Sequence, residues 1–291
     1  MGWRIVVVTG VAKLDYKMGY LELRTVEEQR RVLLEEISVL MVESTAVSLT
    51  AYLLWQLVES GVNVVFCNPQ HLPCAQLLPC AGSHDTAAKY RAQIAWPTPL
   101  CRQVWAHIVQ AKIQGQAAVL QGVGHPAAAQ VAGYAAGVQP GDTTNREGHA
   151  AKVYFNALFG PGFTRSSGCH INAALNYGYS ILLSVFAREA VANGYATQLG
   201  LFHHSVNNPY NLACDLMEPY RPLVDRLVYG LPNAPLTRDT RRAIARVLAC
   251  QVQLQGKNYY RTDAAAITAK SVFNALQTGN CGLLRFPQGW G

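Results

Sequence analysis

Three acidic side chains stand out because they sit in apolar, helix-like segments. Glu147 opens the stretch Asn145-Arg146-Glu147-Gly148-His149-Ala150-Ala151-Lys152-Val153-Tyr154-Phe155. Asp215 and Glu218 are embedded in Leu212-Ala213-Cys214 and Leu216-Met217. An i, i+3 spacing puts Asp215 and Glu218 on one helix face. Carboxylates held that close repel, so the arrangement costs energy unless a cation or a proton is present. Such a pair suits a hard divalent cation, with Mg²⁺ taking a few oxygens and keeping several waters. The neighbouring His203-His204 adds an imidazole, which makes Mn²⁺ suitable too. Two adjacent histidines cannot both face one metal from a regular element, so at most one is a ligand. A plainer account makes Glu147 a helix N-terminal charge favoured by the dipole. In that account Asp215 and Glu218 are salt-bridge partners of Arg221 and Arg226. Pro219 follows Glu218 directly, which places that carboxylate at a kink or a helix end.

Other chemistries lose ground on motif grounds. Neither His-Glu-x-x-His nor Gly-x-Ser-x-Gly occurs. No glycine-rich phosphate loop follows a strand. The eight cysteines form no Cys-x-x-Cys pair, so they read as free thiols rather than zinc ligands.

The elements that must position these groups fall into two parts. Residues 4–9, 20–25, 31–34, 37–42 and 62–67 read as short strands, with Glu35-Glu36 as a turn. Close spacing of short strands suggests a small antiparallel sheet or sandwich. Val47, Leu49, Leu53, Leu54, Leu57 and Val58 follow helical spacing up to Gly61. A segment rich in Pro, Cys, Gly and His then reads as a linker. The expected organisation is an N-terminal β-rich domain (1–75), a linker (76–86) and a helical domain (87–291). Helices are expected over 86–95, 100–112 and 172–192, with 117–138 broken by Gly122, Gly124 and Pro126. Thr237 is expected to cap a helix running to about Gln255, with Arg238, Arg242 and Arg246 as one stripe. A last helix is expected over 263–277, closed by Gly279.

Composition agrees with a folded, water-soluble chain. Half of the 291 residues are hydrophobic and 14% are charged, enough apolar material for a sizeable core. The most apolar window, 37–58, contains Glu43, Ser44, Thr45 and Gln56, so no membrane span is expected. Met1-Gly2-Trp3-Arg4 runs straight into an apolar strand, which argues against a leader and for a cytoplasmic protein. Charge is unevenly distributed. Residues 1–80 carry six Lys/Arg against eight Asp/Glu, and residues 81–291 carry eighteen against nine. A polyanion is therefore attracted to the C-terminal part, and the arginine stripe is either a solvated face or a phosphate-facing one.

The stretch 145–155, Leu175-Asn176-Tyr177-Gly178-Tyr179, Leu199-Gly200-Leu201-Phe202-His203 and Asn211–Pro222 occur in this order. Together they resemble the CRISPR-associated spacer integrase, the larger of the two universal spacer-acquisition proteins, and most of all its members from type II systems. The segments 37–40, 48–50 and 61–64 resemble that family's β-domain and following helix. The resemblance implies an α+β protein: a small, mostly-β, sandwich-like N-terminal domain followed by a larger all-α catalytic domain. It implies a Glu–His–acid ligand triad on Glu147, His203 and Glu218, holding Mg²⁺ or Mn²⁺. The doubled histidine leaves the register open by one residue, so His204 is an accessory candidate, as is Asp215. Arg146, Lys152 and Arg221 are candidates for phosphate contacts, as is the 238–242–246 stripe. The implied reaction inserts short foreign DNA (prespacers) into a CRISPR array by 3′-OH attack at the repeat boundary. The implied partners are double-stranded DNA, a second copy in a homodimer, and a small ferredoxin-like acquisition protein in a heterohexamer. An effector nuclease and a ring-shaped accessory protein of type II systems join that set. The competing readings are a metal-dependent nuclease without strand transfer and a non-catalytic DNA-binding structural protein.

Overall fold

The computed structural model describes residues 2–80 and 82–288. Its first part contains eight strands and one helix. These are β1 (Arg4–Val8), β2 (Ala12–Lys17), β3 (Tyr20–Arg24), β4 (Gln29–Leu33), β5 (Ile37–Val42), β6 (Val47–Leu49), α1 (Ala51–Glu59), β7 (Asn63–Cys67) and β8 (Pro73–Leu77). They form two four-stranded sheets, ordered β1-β5-β7-β8 and β4-β3-β2-β6.

The sheets are mixed rather than antiparallel. β1, β5 and β7 run parallel, and only β8 opposes them. The reason lies in β5. Ile37-Ser38-Val39-Leu40-Met41-Val42 is buried at every position, as a strand covered on both faces must be. Parallel neighbours need a long crossover, and β6 with α1 supplies it between β5 and β7. Val47 and Leu49, expected in a helix, form β6 instead and pair with Ala12 and Leu14. The helix starts only at Thr50, whose side chain accepts from the Leu53 amide.

Alternate residues of β5 enter two different cores. Leu40 and Val42 join Leu14, Leu21, Leu53 and Leu57 in the small N-terminal core. Val39 and Met41 join the large helical core, as does Cys67. Polar contacts seal the same junction. Asn63 donates to Ser184 Oγ at 2.9 Å, Arg188 donates to the Gly61 carbonyl at 2.6 Å, and Arg241 pairs with the buried Glu43 carboxylate.

β8 ends at Leu77 and the next helix begins at Thr86. The second part contains α2 (Thr86–Ile94), α3 (Thr98–Gly122), α4 (Ala128–Ala136), α5 (Arg146–Phe159), α6 (His170–Ala192), α7 (Asn211–Met217), α8 (Arg221–Tyr229), α9 (Arg238–Ala245), β9 (Gln251–Leu254), β10 (Lys257–Tyr260) and α10 (Arg261–Thr278). α3 is one 25-residue helix and does not stop at 112. Gly115 stays helical because it is buried in the packing, and the break comes at Gly124, whose φ is +70°. The helix capped by Thr237 is shorter than expected and ends at Ala245. Beyond it Gln251-Val252-Gln253-Leu254 alternates between exposed and buried and pairs with β10. Gln255 and Gly256 both have positive φ, the geometry of a tight hairpin turn. This hairpin interrupts an otherwise helical part. Among the described residues, no helix is long and apolar enough to cross a membrane.

Candidate metal centre

Glu147 is carried by the first turn of α5. Ala150, Tyr154 and Leu158 are the buried residues of that helix, and their spacing puts Glu147 on the same inward stripe. The helix start is fixed twice. Asn145, in left-handed geometry, accepts from Gly148 N. Asp142 accepts from Arg146 N at 2.8 Å and Glu147 N at 2.9 Å. Both satisfy amides that a helix start leaves unpaired. A Cβ at Gly148 would stand 2.5 Å from Asn145 Oδ1, so a larger residue there would displace the capping side chain.

Asp215 and Glu218 do not share a partner. α7 ends at Met217, and Glu218 begins a short turn of 3₁₀ helix with Pro219 and Tyr220. Asp215 is wholly buried and turns to the 201–203 loop. Its carboxylate accepts from the amides of Leu201 at 2.6 Å, Phe202 at 3.1 Å and His203 at 3.2 Å. It also lies 2.6 Å from His203 Nδ1. A Cβ at Gly200 would come within 2.4 Å of the His203 carbonyl oxygen, so the loop wraps this closely only around glycine. The expected acid pair facing one cation is therefore corrected: Asp215 shapes the loop that presents His203. The imidazole is further fixed edge-on to Trp105, which stacks on Phe202 with centroids 4.4 Å apart.

Glu218 meets Glu147 instead, through a residue that sequence reasoning missed. Lys112 Nζ lies 2.5 Å from Glu147 Oε1 and 2.6 Å from Glu218 Oε2. Arg221 contacts the other Glu218 oxygen at 2.9 Å. The Lys112 ammonium thus bridges the two carboxylates, one oxygen of each. Burial pushes the Glu218 carboxyl up, but the charges of Arg221 and Lys112 outweigh it and hold the pKa below the usual range. For Lys112, burial favours the neutral amine, and the charges of Glu218 and Glu147 overcome it, raising the pKa. The hydrogen bond that His203 donates to the Asp215 carboxylate raises the His203 pKa against the opposing effect of burial, and the Asp215 and Glu218 charges add to the rise.

Behind this cluster, Asp225 accepts from Tyr179 OH at 2.5 Å and Tyr154 OH at 3.1 Å. Burial raises its pKa to about 6, outweighing both hydroxyls. Arg165 and Arg221 lie 5.1 Å and 4.8 Å from the Tyr179 ring centre.

The remaining candidates lie apart from the carboxylates. His204 is exposed and lines an open cavity of about 880 Å³ with Trp96, Leu199 and Asn208. Neither Glu147 nor Glu218 lines that cavity. Lys152 is exposed on α5, and the Arg146 guanidinium packs over Gly137. Arg238 and Arg242 line an open groove of about 520 Å³ with Glu27, Glu28 and Arg30 of the N-terminal part. Arg246, expected on the same helix, lies instead on the 3₁₀ turn that follows α9.

Among the described residues, no three His, Cys, Asp or Glu side chains already enclose a cation position. The donor set nevertheless fits Mg²⁺ or Mn²⁺. Two carboxylates converge on one positive charge, and His203 commits only Nδ1. Oxygen donors with one imidazole suit these ions.

A β-rich N-terminal part followed by a helical part defines an α+β protein with the architecture of solved casposase and Cas1 structures. A casposase bound to integration product aligns with TM-score 0.76 at 18% identity, covering 95% of this chain and 91% of that one. A Cas1 protein from Thermotoga maritima aligns with TM-score 0.70 at 14% identity, covering 94% and 97%. The model of the family "CRISPR associated protein Cas1" matches residues 5–242. A CRISPR-associated endonuclease Cas1 from Neisseria meningitidis serogroup C is 38% identical over 99% of this chain and 97% of its own length. The chain belongs to the Cas1 family.

Proposed function

We propose that this chain is a metal-dependent DNA integrase that inserts prespacers into a CRISPR array. The observation that carries the reading is the convergence of Glu147 and Glu218, from separate helical segments, on the Lys112 ammonium, with His203 near enough to feel the Glu218 charge. The Neisseria relative is named an endonuclease, and the casposase was captured with an integration product. Glu147, Glu218 and His203 Nε2 would hold Mg²⁺ or Mn²⁺. Bound there, the ion supplies a Lewis acid for the scissile phosphodiester and the attacking 3′-OH. Asp215 fixes His203 by its Nδ1, which orients the ring and presents Nε2. Arg221 keeps Glu218 ionised. Basic residues of the helical part, Arg146, Lys152, Arg238, Arg242 and Arg246 among them, hold phosphates of the two duplexes. Such contacts give affinity without reading bases.

The N-terminal domain (1–75), joined through 76–86 to the catalytic domain (87–291), mediates homodimerisation in the cytoplasm. Solved Cas1–Cas2 complexes are among the structural neighbours, which supports a small ferredoxin-like acquisition protein as the bridge in a heterohexamer. The type II effector nuclease and the ring-shaped accessory protein complete the expected partners.

Labelled prespacer duplex, supercoiled repeat plasmid and Mn²⁺ test the reading. Strand transfer by the wild type, lost in Glu147→Ala, is expected. Nicking without transfer would point to a plain nuclease. Transfer surviving in Glu147→Ala would remove the metal assignment.

A further inference from the structure

We infer that Lys112 is a built-in counter-cation, holding the gap between Glu147 and Glu218 until a divalent ion displaces it. The inference rests on the proposed reading of those carboxylates as metal ligands. Lys112 lies on the buried face of α3, one turn from Ile108 on one side and Gln116 on the other. Its side chain is only 11% exposed. A lysine in that position is costly unless it is paired. Among the described residues it is the one cation that touches both carboxylates, because Arg221 reaches Glu218 alone.

The two acids come from different segments, the first turn of α5 and the turn after α7. Without a cation between them, their charges would drive them apart. Lys112 therefore keeps the site assembled before metal arrives. A single ammonium shares one positive charge between two carboxylates, where a divalent ion would bring two. A metal entering the same gap gains both oxygens and must expel the ammonium. An acceptor is at hand: Gln116 Oε1, one turn along the same helix face, is buried and has no hydrogen-bond partner among the described residues. Lys112 is thus a positioning residue that acts through Glu147 and Glu218.

The test is Mn²⁺ binding to DNA-free, full-length protein, read by the loss of the free-ion EPR signal. Lys112→Gln fills similar space without charge and should bind Mn²⁺ on the order of tenfold more tightly than wild type. Adding Glu147→Gln should abolish that gain. Arg221→Gln removes the same charge from Glu218 alone and should gain much less. Lys112→Arg keeps the charge and should keep the wild-type affinity. The metal-free melting temperature of Lys112→Gln should fall by about 5 °C and recover on adding Mn²⁺. A merely structural lysine predicts the opposite, weaker metal binding in Lys112→Gln. Equal or weaker binding by that variant overturns the inference, as does an equal gain in Arg221→Gln. So does tighter binding by Lys112→Arg, the result that decides the matter if Lys112→Gln fails to fold. If no protein binds Mn²⁺ in a manner sensitive to Glu147→Gln, the metal reading fails and the inference with it. Such binding in wild type, with no gain in Lys112→Gln, removes the role of Lys112 alone.

Discussion

Glu218 and Asp225 lie on one short segment, both wholly buried, and the protein treats them in opposite ways. Asp225 is met by two neutral hydroxyls that tie α5 and α6 to α8. Its pKa rises to about 6, so it is close to giving up its charge. Glu218 is met by two cations that keep it charged. Burying a charge is expensive. A strut can relieve that cost by taking up a proton, as Asp225 nearly does. A carboxylate held ionised beside a second one is suited to a ligand from outside the chain.

The largest expected effect breaks or sustains that contrast directly. Glu218→Gln should lower strand transfer by about 10³-fold, whereas Asp225→Asn should retain most of it. Equal losses, measured with the same prespacer and plasmid, would erase the distinction. Next come the histidines, which extend the contrast from acids to imidazoles. His203→Ala should cost about 100-fold in strand transfer, and His204→Ala little. Equal, mild losses in both would remove His203 from the site.

The smallest effect concerns stability and singles out Asp225. Its folded pKa of about 6 lies above the ordinary 3.8. Between those values the folded protein binds more protons than the unfolded chain, so stability falls as pH rises through that window. Up to about 3 kcal/mol is lost by pH 7. In urea titrations from pH 4 to 7, Asp225→Asn should show a flatter profile than wild type. Identical profiles would mean that Asp225 is not the buried, half-neutral strut described above.

Sequence alone made some of this legible and hid the rest for physical reasons. β5 could be located within its true limits because a continuous apolar run bounded by turn residues admits few other readings. Its parallel partners could not, since direction depends on the β6–α1 crossover, and Val47 and Leu49 match helical spacing as well as strand spacing. Glu147 stood out as a charge at the head of an apolar helix. Lys112 did not, although a lysine in register with Ile108 and Gln116 on a buried stripe is a signal. Finding it means asking which cation the acids face before any metal is considered. The i, i+3 rule misled for Asp215 and Glu218. It fixes where side chains leave a helix, not which neighbour each one reaches.

The strand β5 gives up alternate side chains to two cores, and this bears on how the chain comes apart. Removing residues 1–75 would strip Val39, Met41 and Cys67 from the helical core, and would take away Glu43, the partner of Arg241. The helical body would then be left with an apolar wound and an unpaired cation. Melting is therefore expected to be one cooperative event for the entire chain, and the helices that carry Glu147 and Glu218 inherit their rigidity in part from the N-terminal sheet.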